Sequence, residues 1–288
     1  MTPLSLEAPA KLNLSLRVVG QRPDGFHLLE TEMVLLELAD QLLLMPGAPG
    51  LRVEAAAGED VPVDHSNLAW RGLLAGIGAQ PELVCLALEK RIPVGAGLGG
   101  GSSDAAAAWR LGRRISAAPE AATPAELVAL SRLGADVPFF AARAAAARVT
   151  GIGELVTPGD APSPDHVVLA HPAFRLSTEA VFAELRPADL ASDRGNTNDL
   201  LAPALRLRPE LGDLMREVSA AGGEPRLTGS GSTICSLTDD AERAAATAAT
   251  LRSAGVRVTV TRLRREPAEI LELGEALQDG GAIAPSVG

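Results

Sequence analysis

The sequence predicts a protein of the α+β class with two domains. Its 288 residues exceed the length of one typical domain. Strand patterns dominate the first 55 residues, whereas strands and helices alternate in the second half. Between these parts, Gly151 and Gly153 interrupt a strand-like run, and we place the domain boundary there. The predicted domains are residues 1–152 and 153–288.

Composition argues against several classes of protein. No apolar run approaches the roughly 20 residues that a membrane-spanning helix needs, and the N-terminus has no secretory signal pattern. The net charge of −10 and the lack of a basic stripe with aromatic residues argue against a nucleic-acid binder. Cys85 and Cys235 lie in apolar runs, as buried reduced thiols do. We therefore expect a cytoplasmic protein without nucleic-acid or membrane partners.

The first predicted element is a strand over residues 4–19. Leucines alternate with polar residues there, which is the pattern of a half-buried strand. Lys11 and Asn13 therefore share one face, away from the leucines. A strong turn signal follows at 21–25. Further strands are predicted at 28–38, 41–45 and 51–55.

Caps and apolar runs predict the later elements. Ser66 or Asn67 caps the first helix, and a capping box at Thr123 and Glu126 starts another. The elements predicted from these signals are helices 64–74 and 123–133, strand 167–170, a helix opened by 176–182, helices 198–201 and 209–221, a glycine–serine turn leading into a strand over 225–237, helix 242–254 and strand 256–262. The tail from residue 278 has the composition of a loose end.

A glycine-rich loop lies between a predicted buried strand over 82–88 and an alanine-rich helix over 104–111, with Ser102 and Ser103 in the N-cap position. Five of the seven residues 95–101 are glycine. Glycines allow positive φ and close approach to a ligand, and a helix N-terminus presents free N–H groups to an anion. The strand, loop and helix therefore predict an anion cradle, in the first place for phosphate.

Three interpretations of this loop compete. A glycine-rich turn without a ligand is the least favoured, because it would cost backbone entropy without gain. The pattern Gly95-x-Gly97-x-x-Gly100 matches a dinucleotide fold. That fold needs a second parallel strand ending in an acidic residue about 20 residues on, where this chain has a loop and then a helix. The third interpretation is favoured: a nucleoside triphosphate site without the Walker lysine, since the chain has no Gly-Lys-Ser/Thr.

Three patches, in their order and spacing, resemble the motifs of the GHMP kinases (galactokinase, homoserine, mevalonate and phosphomevalonate kinases). They are APAKLNL at 8–14, PVGAGLGGGSS at 93–103 and LTGSG at 227–231, so the match spans nearly the whole chain. RPDGFH at 22–27 and LGADVPFF at 133–140 resemble motifs of the GHMP kinases that act in the non-mevalonate isoprenoid pathway. The resemblance implies an N-terminal domain like ribosomal S5 domain 2, a ferredoxin-like C-terminal domain, and an active site in the cleft between them.

The resemblance assigns catalysis to Asp136 and Lys11. Asp136 would accept the hydroxyl proton, and Lys11 beside it would keep the carboxylate ionised. Asp136 directly follows a predicted helix, so a capping or turn aspartate is the alternative. Asn13 supports the same group or is a structural asparagine of the strand. Lys11 and Lys90 are the chain's only lysines. This rarity suggests that each occupies a position that arginine would not suit. The alternative is that each is an ordinary surface charge.

ATP and Mg²⁺ are the implied cofactors. Main-chain N–H groups of the loop would hold the triphosphate, and the resemblance puts Asn67 and Lys90 on the adenine side. The predicted nucleotide-binding residues of the loop are Pro93, Val94, Gly95, Ala96, Gly97, Leu98, Gly99, Gly100, Gly101, Ser102 and Ser103. No acidic ligand pair for Mg²⁺ is visible, and Ser102 and Asp104 are the candidates.

The implied substrate is a small molecule, a cytidine diphosphate-linked sugar alcohol whose 2-hydroxyl receives the γ-phosphoryl group of ATP. Phe26 and His27 would form the cytosine pocket. The family usually has tyrosine where this chain has Phe26, so the ring is kept for stacking and the hydroxyl is lost. The other predicted substrate-binding residues are Asn13, Thr178, Phe182, Gly229, Ser230 and Gly231. Ordinary helix positions and a plain hairpin turn are the alternatives for the last five.

Two other functions stay open at this point. One is a GHMP kinase for another small alcohol, such as homoserine or a mevalonate derivative. The other is a catalytically inactive nucleotide-binding protein of the same fold. The DGFH patch at 24–27 argues against the first, and the presence of both Lys11 and Asp136 argues against the second. We expect a monomer or a weak homodimer.

Overall fold

Two β-sheets and eight α-helices are present in the computed structural model, which describes residues 1–56, 59–78, 83–190 and 197–274. The first sheet consists of β1 (Leu4–Gln21), β2 (His27–Pro46), β3 (Gly50–Glu54), β4 (Val84–Glu89), β5 (Ala146–Gly151), β6 (Leu155–Gly159) and β11 (Leu271–Glu272). The second consists of β7 (His166–His171), β8 (Arg226–Leu227), β9 (Ile234–Thr238) and β10 (Arg257–Arg262). The helices are α1 (Leu68–Ile77), α2 (Gly100–Ile115), α3 (Pro124–Leu130), α4 (Val137–Ala141), α5 (Thr178–Ala183), α6 (Leu201–Leu207), α7 (Glu210–Ala220) and α8 (Ala241–Ser253). This mixture confirms the predicted α+β class.

The long antiparallel hairpin of β1 and β2 carries the first sheet. The alternation of leucines with polar residues predicted a half-buried strand; the structure confirms the strand β1, but both of its faces are buried over residues 8–13, including Lys11 and Asn13. The sequence predicted two strands where β2 is continuous, because Asp40 interrupts the apolar pattern. Asp40 is nevertheless buried opposite Ala8, and its carboxylate accepts the backbone N–H groups of Arg91 and Ile92. A buried charge with such partners can remain inside a strand.

The second sheet is buried on both faces. Along β7, Val168 and Ala170 pack against helices α7 and α8, whereas Val167 and Leu169 pack in one cluster with Leu12 of the first sheet. A nearly continuous apolar strand is expected where both faces of a sheet are covered. The strand order is β10–β7–β9–β8, and each neighbouring pair is antiparallel. The two sheets are therefore joined by a common apolar layer.

Helices α1 and α2 cover the first sheet and touch each other backbone to backbone. A Cβ added at Gly72 of α1 would lie 2.1 Å from the Ala105 carbonyl oxygen, and one at Gly76 would lie 2.2 Å from that of Trp109. Only small residues permit this approach, which explains the alanine-rich sequence of α2. The tight packing fixes α2 and, with it, the glycine-rich loop that precedes it.

Local signals predicted several helix starts correctly. Asn67 caps α1 by accepting a backbone N–H of its first turn. Thr123 and Glu126 form the predicted capping box of α3. Glu82, at the start of the predicted strand before the loop, and the tail from residue 278 lie outside the described residues. Within the described ranges, no helix has the length and apolar character to cross a membrane.

The change from the first sheet to the second falls later in the chain than the predicted boundary at residue 152. Strands β5 and β6 form a hairpin across that position, and both belong to the first sheet. Gly151 and Gly153 therefore mark a hairpin turn and not a linker. The first sheet continues to Gly159, and the second begins at His166. Strand β11 then returns to pair with β1, so the C-terminal part contributes to both sheets.

Candidate active site

A cavity of about 620 Å³ opens between the two sheets and is the candidate active site. Strands β1 and β2 form one wall, α5 and the turn between β8 and β9 form the second, and the loop before α2 forms the third. All the site residues predicted from the sequence line this cavity except Phe26, His27, Ser103 and Gly231. The fold thus brings together residues from positions 11 to 230 of the chain.

Positive backbone angles give the glycine loop its shape. φ is 69° at Gly95, 78° at Gly97 and 72° at Gly99. The Ala96 carbonyl oxygen accepts the N–H of Thr233, and the Leu98 oxygen accepts that of Lys11. In a trans peptide the following N–H points the opposite way. The N–H groups of Gly97 and Gly99 are therefore turned away from these partners, as an anion cradle requires.

Helix α2 begins directly after this loop, at Gly100. The prediction that Ser102 or Ser103 caps it was wrong, because its N-cap is Gly99 and both serines lie inside the first turn. No side chain accepts a capping hydrogen bond from the first N–H groups of this helix. A helix end of this kind carries the positive end of the dipole and suits a phosphate.

Lys11 and Asp136 meet at the cavity, with Nζ of the lysine 3.4 Å from Oδ2 of the aspartate. The Lys11 side chain is buried, and that of Asp136 is 28% exposed. Asp136 precedes α4, but its side chain makes no capping hydrogen bond. Asp136 thus occupies the N-cap position of α4 and lies in a turn, as the alternative interpretation expects, although its carboxylate makes no capping hydrogen bond. A carboxylate and an ammonium group lie together beside the glycine loop.

Asn13 fixes the position of Lys11. Its Oδ1 accepts a hydrogen bond from Lys11 Nζ at 2.6 Å, and its Nδ2 donates to Thr31 Oγ1 at 2.8 Å. The Thr31 hydroxyl donates in turn to the carbonyl oxygen of Ser15. The Asn13 N–H also donates to Thr228 Oγ1 at 3.0 Å, which joins β1 to the opposite wall. Asn13 therefore has both of the roles considered from the sequence.

The two residues predicted on the adenine side line the cavity, but their polar atoms already have partners. Asn67 caps α1 through Oδ1 and donates to the Pro62 carbonyl oxygen at 2.7 Å through Nδ2. The Lys90 ammonium contacts the Asp40 carboxylate and lies 2.7 Å from Asp104 Oδ2. Burial lowers the pKa of Lys90, but the charges of Asp104 and Asp40 outweigh it, so the pKa is raised. Lys90 is a paired cation.

The described residues include no group of three or more His, Cys, Asp or Glu side chains that could hold a metal ion. Of the two Mg²⁺ candidates, Asp104 is buried and paired with Lys90. Burial raises the pKa of Asp104 well above its usual range, against the opposing charge of Lys90. Asp104 therefore does not suit Mg²⁺. Ser102 lines the cavity and remains the candidate.

Aromatic side chains lie at the α5 end of the cavity. The His27 ring stacks on the Phe182 ring, with centroids 5.0 Å apart and planes 22° apart. His27 thus reaches a cavity-lining ring although it is outside the lining itself. Phe26, the residue before His27, is 59% exposed, and the Arg22 guanidinium lies over its ring, 6.0 Å from the centroid. The Thr178 hydroxyl lies 2.8 Å from that of Ser230, which ties α5 to the turn between β8 and β9.

Asn198 is a residue of the site that the sequence analysis missed. Its Nδ2 donates to the carbonyl oxygens of Leu227 and Gly229, at 2.9 and 2.8 Å. Its backbone also forms a bridge with Leu16 of β1. It therefore holds the turn that lines the cavity against the strand that carries Lys11. The Asn-Asp pair just before an apolar helix was the only signal in the sequence.

Known proteins match the chain over most of its length. The family models described as GHMP kinases N terminal domain and GHMP kinases C terminal match residues 67–143 and 181–257. A protein of Paramagnetospirillum magneticum named 4-diphosphocytidyl-2-C-methyl-D-erythritol kinase is 36% identical over 276 residues, covering 88% of this chain and 95% of that protein. A Thermus thermophilus protein of the same name is 40% identical over 270 residues, covering 86% and 92%.

A solved structure has the same fold and a similar sequence. The crystal structure of 4-(cytidine 5′-diphospho)-2C-methyl-D-erythritol kinase matches with a TM-score of 0.74 at 35% identity, covering 90% of this chain and 98% of that chain. The fold and the site together define a small-molecule kinase. The chain belongs to the GHMP kinases, and within them to the family of the 4-diphosphocytidyl-2-C-methyl-D-erythritol kinases. The resemblance found in the sequence is thereby confirmed.

Proposed function

We propose that this chain transfers the γ-phosphoryl group of ATP to the 2-hydroxyl of 4-diphosphocytidyl-2-C-methyl-D-erythritol, giving the 2-phosphate and ADP. The observation that carries the proposal is the pair of Lys11 and Asp136, 3.4 Å apart beside the glycine loop. Relatives that cover most of the chain are named for this substrate. The reaction would be a step in the biosynthesis of isoprenoid precursors.

The triphosphate is bound mainly by backbone in this proposal. The N–H groups of the loop and of the first turn of α2 supply partial positive charge to its oxygens. The loop contains no lysine, and Lys11 is the cavity-lining cation that lies beside Asp136. A Cβ at Gly99 would lie 3.0 Å from Lys11 Cγ, so the lysine stem runs alongside the loop. Lys11 is then positioned to stabilise charge that develops on the transferred group.

Asp136 is the group that accepts the proton of the 2-hydroxyl. As the proton leaves, the hydroxyl oxygen forms a bond to the γ-phosphorus, and the bond between that phosphorus and the bridging oxygen of ADP breaks. A positioned base of this kind contributes about 10²–10⁴ to the rate. Lys11 stabilises the ionised carboxylate, and Asn13 holds Lys11 through the 2.6 Å hydrogen bond.

Mg²⁺ accompanies ATP in this proposal. Proteins commonly hold Mg²⁺ through one or two side-chain oxygens, with phosphate oxygens and water completing the coordination. A serine hydroxyl at the start of the helix that follows the loop is a known kind of Mg²⁺ ligand in nucleotide sites, and Ser102 has this position. Ser102 is the cavity-lining residue whose oxygen would hold it. When bound, the ion would neutralise charge on the phosphate oxygens.

The cytidine end is assigned to the aromatic residues beside α5. Phe182 offers a ring that lines the cavity, and Phe26 offers an exposed ring face. Stacking of a base on an aromatic ring is worth about 1–3 kcal/mol. The His27 ring, which rests on Phe182, supplies nitrogen atoms for hydrogen bonds to the base edge.

The catalytic unit in this proposal is a monomer or a weak homodimer. The cytoplasm, where ATP is available, is the compartment that suits this reaction.

The test is ADP release from ATP and Mg²⁺ against a panel of alcohols. The panel contains the cytidine substrate, its uridine counterpart, methylerythritol, homoserine and mevalonate, and phosphorus NMR assigns the position of the new phosphate. We expect turnover with the cytidine substrate and poor turnover with the uridine compound, because its base edge reverses a donor and an acceptor. Equal use of methylerythritol would contradict the substrate assignment. Preference for homoserine or mevalonate would indicate another GHMP kinase activity, and ATP binding without turnover would indicate an inactive protein.

A further inference from the structure

A buried cluster of three charged side chains lies beneath the glycine loop: Asp40 of β2, Lys90 after β4 and Asp104 of α2. Their side chains are 0%, 6% and 4% exposed. The Lys90 ammonium contacts Asp40 and lies 2.7 Å from Asp104 Oδ2. The cluster therefore joins three elements that surround the loop. The reaction proposed above gives none of the three a step.

Asp40 holds the backbone where the loop begins. Its Oδ1 accepts the N–H of Arg91 at 2.5 Å and that of Ile92 at 2.8 Å, while its Oδ2 faces Lys90. Hydrogen bonds from N–H groups to a carboxylate are charge-assisted and stronger than neutral ones. Arg91 and Ile92 directly precede Pro93, the first residue of the loop in the cavity wall. The start of the loop is therefore fixed on β2.

Lys90 connects this point to the other end of the loop. Asp104 lies near the N-terminus of α2, which begins at Gly100, where the loop ends. Nζ of Lys90 lies 3.2 Å from the position that a Cβ would take at Gly100. One ammonium group thus bridges β2 and α2 under the loop. The spacing between the loop N–H groups and the helix N-terminus depends on this bridge.

Burying the charges of this cluster costs folding free energy, and such a cost is expected where the cluster serves a binding site. Two carboxylates face one ammonium, and Asp104 Oδ1 has no hydrogen-bond partner among the described residues. Apolar side chains of similar size would avoid the cost of burying these charges. The carboxylates also lie under a cradle for an anion, where the charge of Lys90 offsets them.

We propose that Asp40 is a positioning residue of the nucleotide site: its carboxylate fixes the start of the glycine loop, and Lys90 extends that hold to α2. Asp40 acts on ATP only through the loop. The inference rests on the proposed function, because it takes this loop to be where ATP binds.

Two substitutions of Asp40 distinguish the loss of its hydrogen bonds to the loop from the loss of its negative charge. Asp40→Asn keeps an Oδ1 acceptor for the two N–H groups, and Asp40→Ala removes it. Asp40→Ala should raise the Kd of a non-hydrolysable ATP analogue by about 10- to 10²-fold, which is the usual worth of a hydrogen bond to a charged group expressed as a ratio of affinities. Asp40→Asn should recover most of that affinity. KM for ATP should rise with the Kd, while KM for the alcohol and kcat at saturating ATP change less than about threefold.

Asp199→Ala is the matched control for Asp40→Ala. Asp199 is also buried and also accepts a backbone N–H, that of Val18, while it pairs with a guanidinium group. The control should lower the melting temperature without raising the Kd for ATP. Amide hydrogen exchange without nucleotide gives an independent readout: Arg91 and Ile92 should exchange faster in Asp40→Ala and at nearly the wild-type rate in Asp40→Asn.

Several outcomes overturn the inference while the proposed function survives. They are an unchanged Kd in a folded Asp40→Ala protein, an equal rise of KM for both substrates, or an equal rise of Kd in Asp199→Ala. Asp40→Ser, whose hydroxyl cannot reach both N–H groups, replaces the alanine variant if the latter does not fold. If the wild type binds ATP but phosphorylates none of the alcohols, the proposed function fails, and the Kd series decides the inference alone.

Discussion

Replacing Asp136 by asparagine tests the assignment of the base most directly. Asparagine keeps the size of the side chain but does not accept a proton at neutral pH. The carboxylate lies 3.4 Å from Lys11 Nζ and is partly open to the cavity, where the hydroxyl would bind. A positioned base is worth about 10²–10⁴ in rate, or about 3–5 kcal/mol of barrier. We expect kcat to fall by that factor while the Kd for ATP changes little.

The structure also predicts that Asp136 and Lys11 are coupled. Unit charges 4 Å apart attract each other by about 4 kcal/mol at an effective dielectric constant of 20. The Lys11 side chain is 4% exposed, so salt screens it less than a surface lysine. If the two residues act as one unit, the double change Lys11→Ala with Asp136→Asn should cost about 10²–10⁴, no more than the worse single change. Independent losses would multiply to about 10⁴–10⁸.

Rapid-quench kinetics at saturating ATP measures the chemical step in each variant. Calorimetry with an ATP analogue shows whether the nucleotide site remains intact. Asp213→Asn, which removes an exposed carboxylate from α7, is the control for the change of charge. Multiplicative losses in the double variant would refute the coupling. An Asp136→Asn enzyme that keeps more than about a tenth of the wild-type kcat would refute the assignment of the base.

Three further predictions concern the loop, the cytidine side and a buried histidine. Gly97→Ala should lower the melting temperature and raise KM for both substrates, because φ is 78° there and a Cβ would lie 2.7 Å from the Gly231 carbonyl oxygen; an unchanged KM for ATP would contradict this. Phe182→Ala should weaken binding of the cytidine substrate by about 1–3 kcal/mol and leave the Kd for ATP unaltered in calorimetry; equal losses for both ligands would count against base stacking. Burial, with a smaller effect of Arg257, lowers the pKa of His171 from 6.5 to about 4. Between these two pH values the histidine is protonated in the unfolded chain and neutral in the folded protein. His171 should therefore lower the free energy of unfolding by about 2 kcal/mol between pH 7 and pH 5, and chemical denaturation should find that contribution missing in His171→Asn.

Features that depend on neighbouring residues could be predicted from the sequence. The alternation around Lys11 shows, from a few neighbouring residues, which side chains share a face of the strand. The capping box from Thr123 to Glu126 marks a helix start with only four residues. The glycine loop is likewise a local pattern. The family resemblance then paired distant patches, which is how Lys11 and Asp136 were predicted to meet.

Contacts between distant segments could not be predicted in this way. The partners of Lys90 are Asp40 and Asp104, which lie 50 and 14 residues away. The apparent break in β2 at Asp40 has the same origin, because the partners that make its burial possible lie far along the chain. Asn198 donates to carbonyl groups 29 and 31 residues later. Periodicity shows which face a side chain occupies but not which element lies opposite.

The proposed binding of phosphate would explain why the prediction for the start of α2 was wrong. Serine is a preferred N-cap because its hydroxyl accepts a first-turn N–H, and Ser102 and Ser103 follow the loop closely. A side-chain cap at this helix would occupy the N–H groups that a phosphate needs. Gly99 at φ 72° ends the loop without supplying such a side chain. The ligand would take the place of the cap, so capping preferences alone misplace this helix start.

Only two of the 26 basic residues are lysines, and both are buried in the walls of the cavity. The Lys11 ammonium lies between Asn13 and Asp136, and that of Lys90 joins carboxylates from two different elements. A guanidinium group is a planar fork that suits paired acceptors on one partner, whereas an ammonium group is a compact charge with three rotatable donors. The stem of Lys11 also packs against Gly99, where a Cβ would lie 3.0 Å from Cγ. Lysine therefore occurs in this arginine-rich chain where one small cation must contact partners that converge from separate parts of the fold.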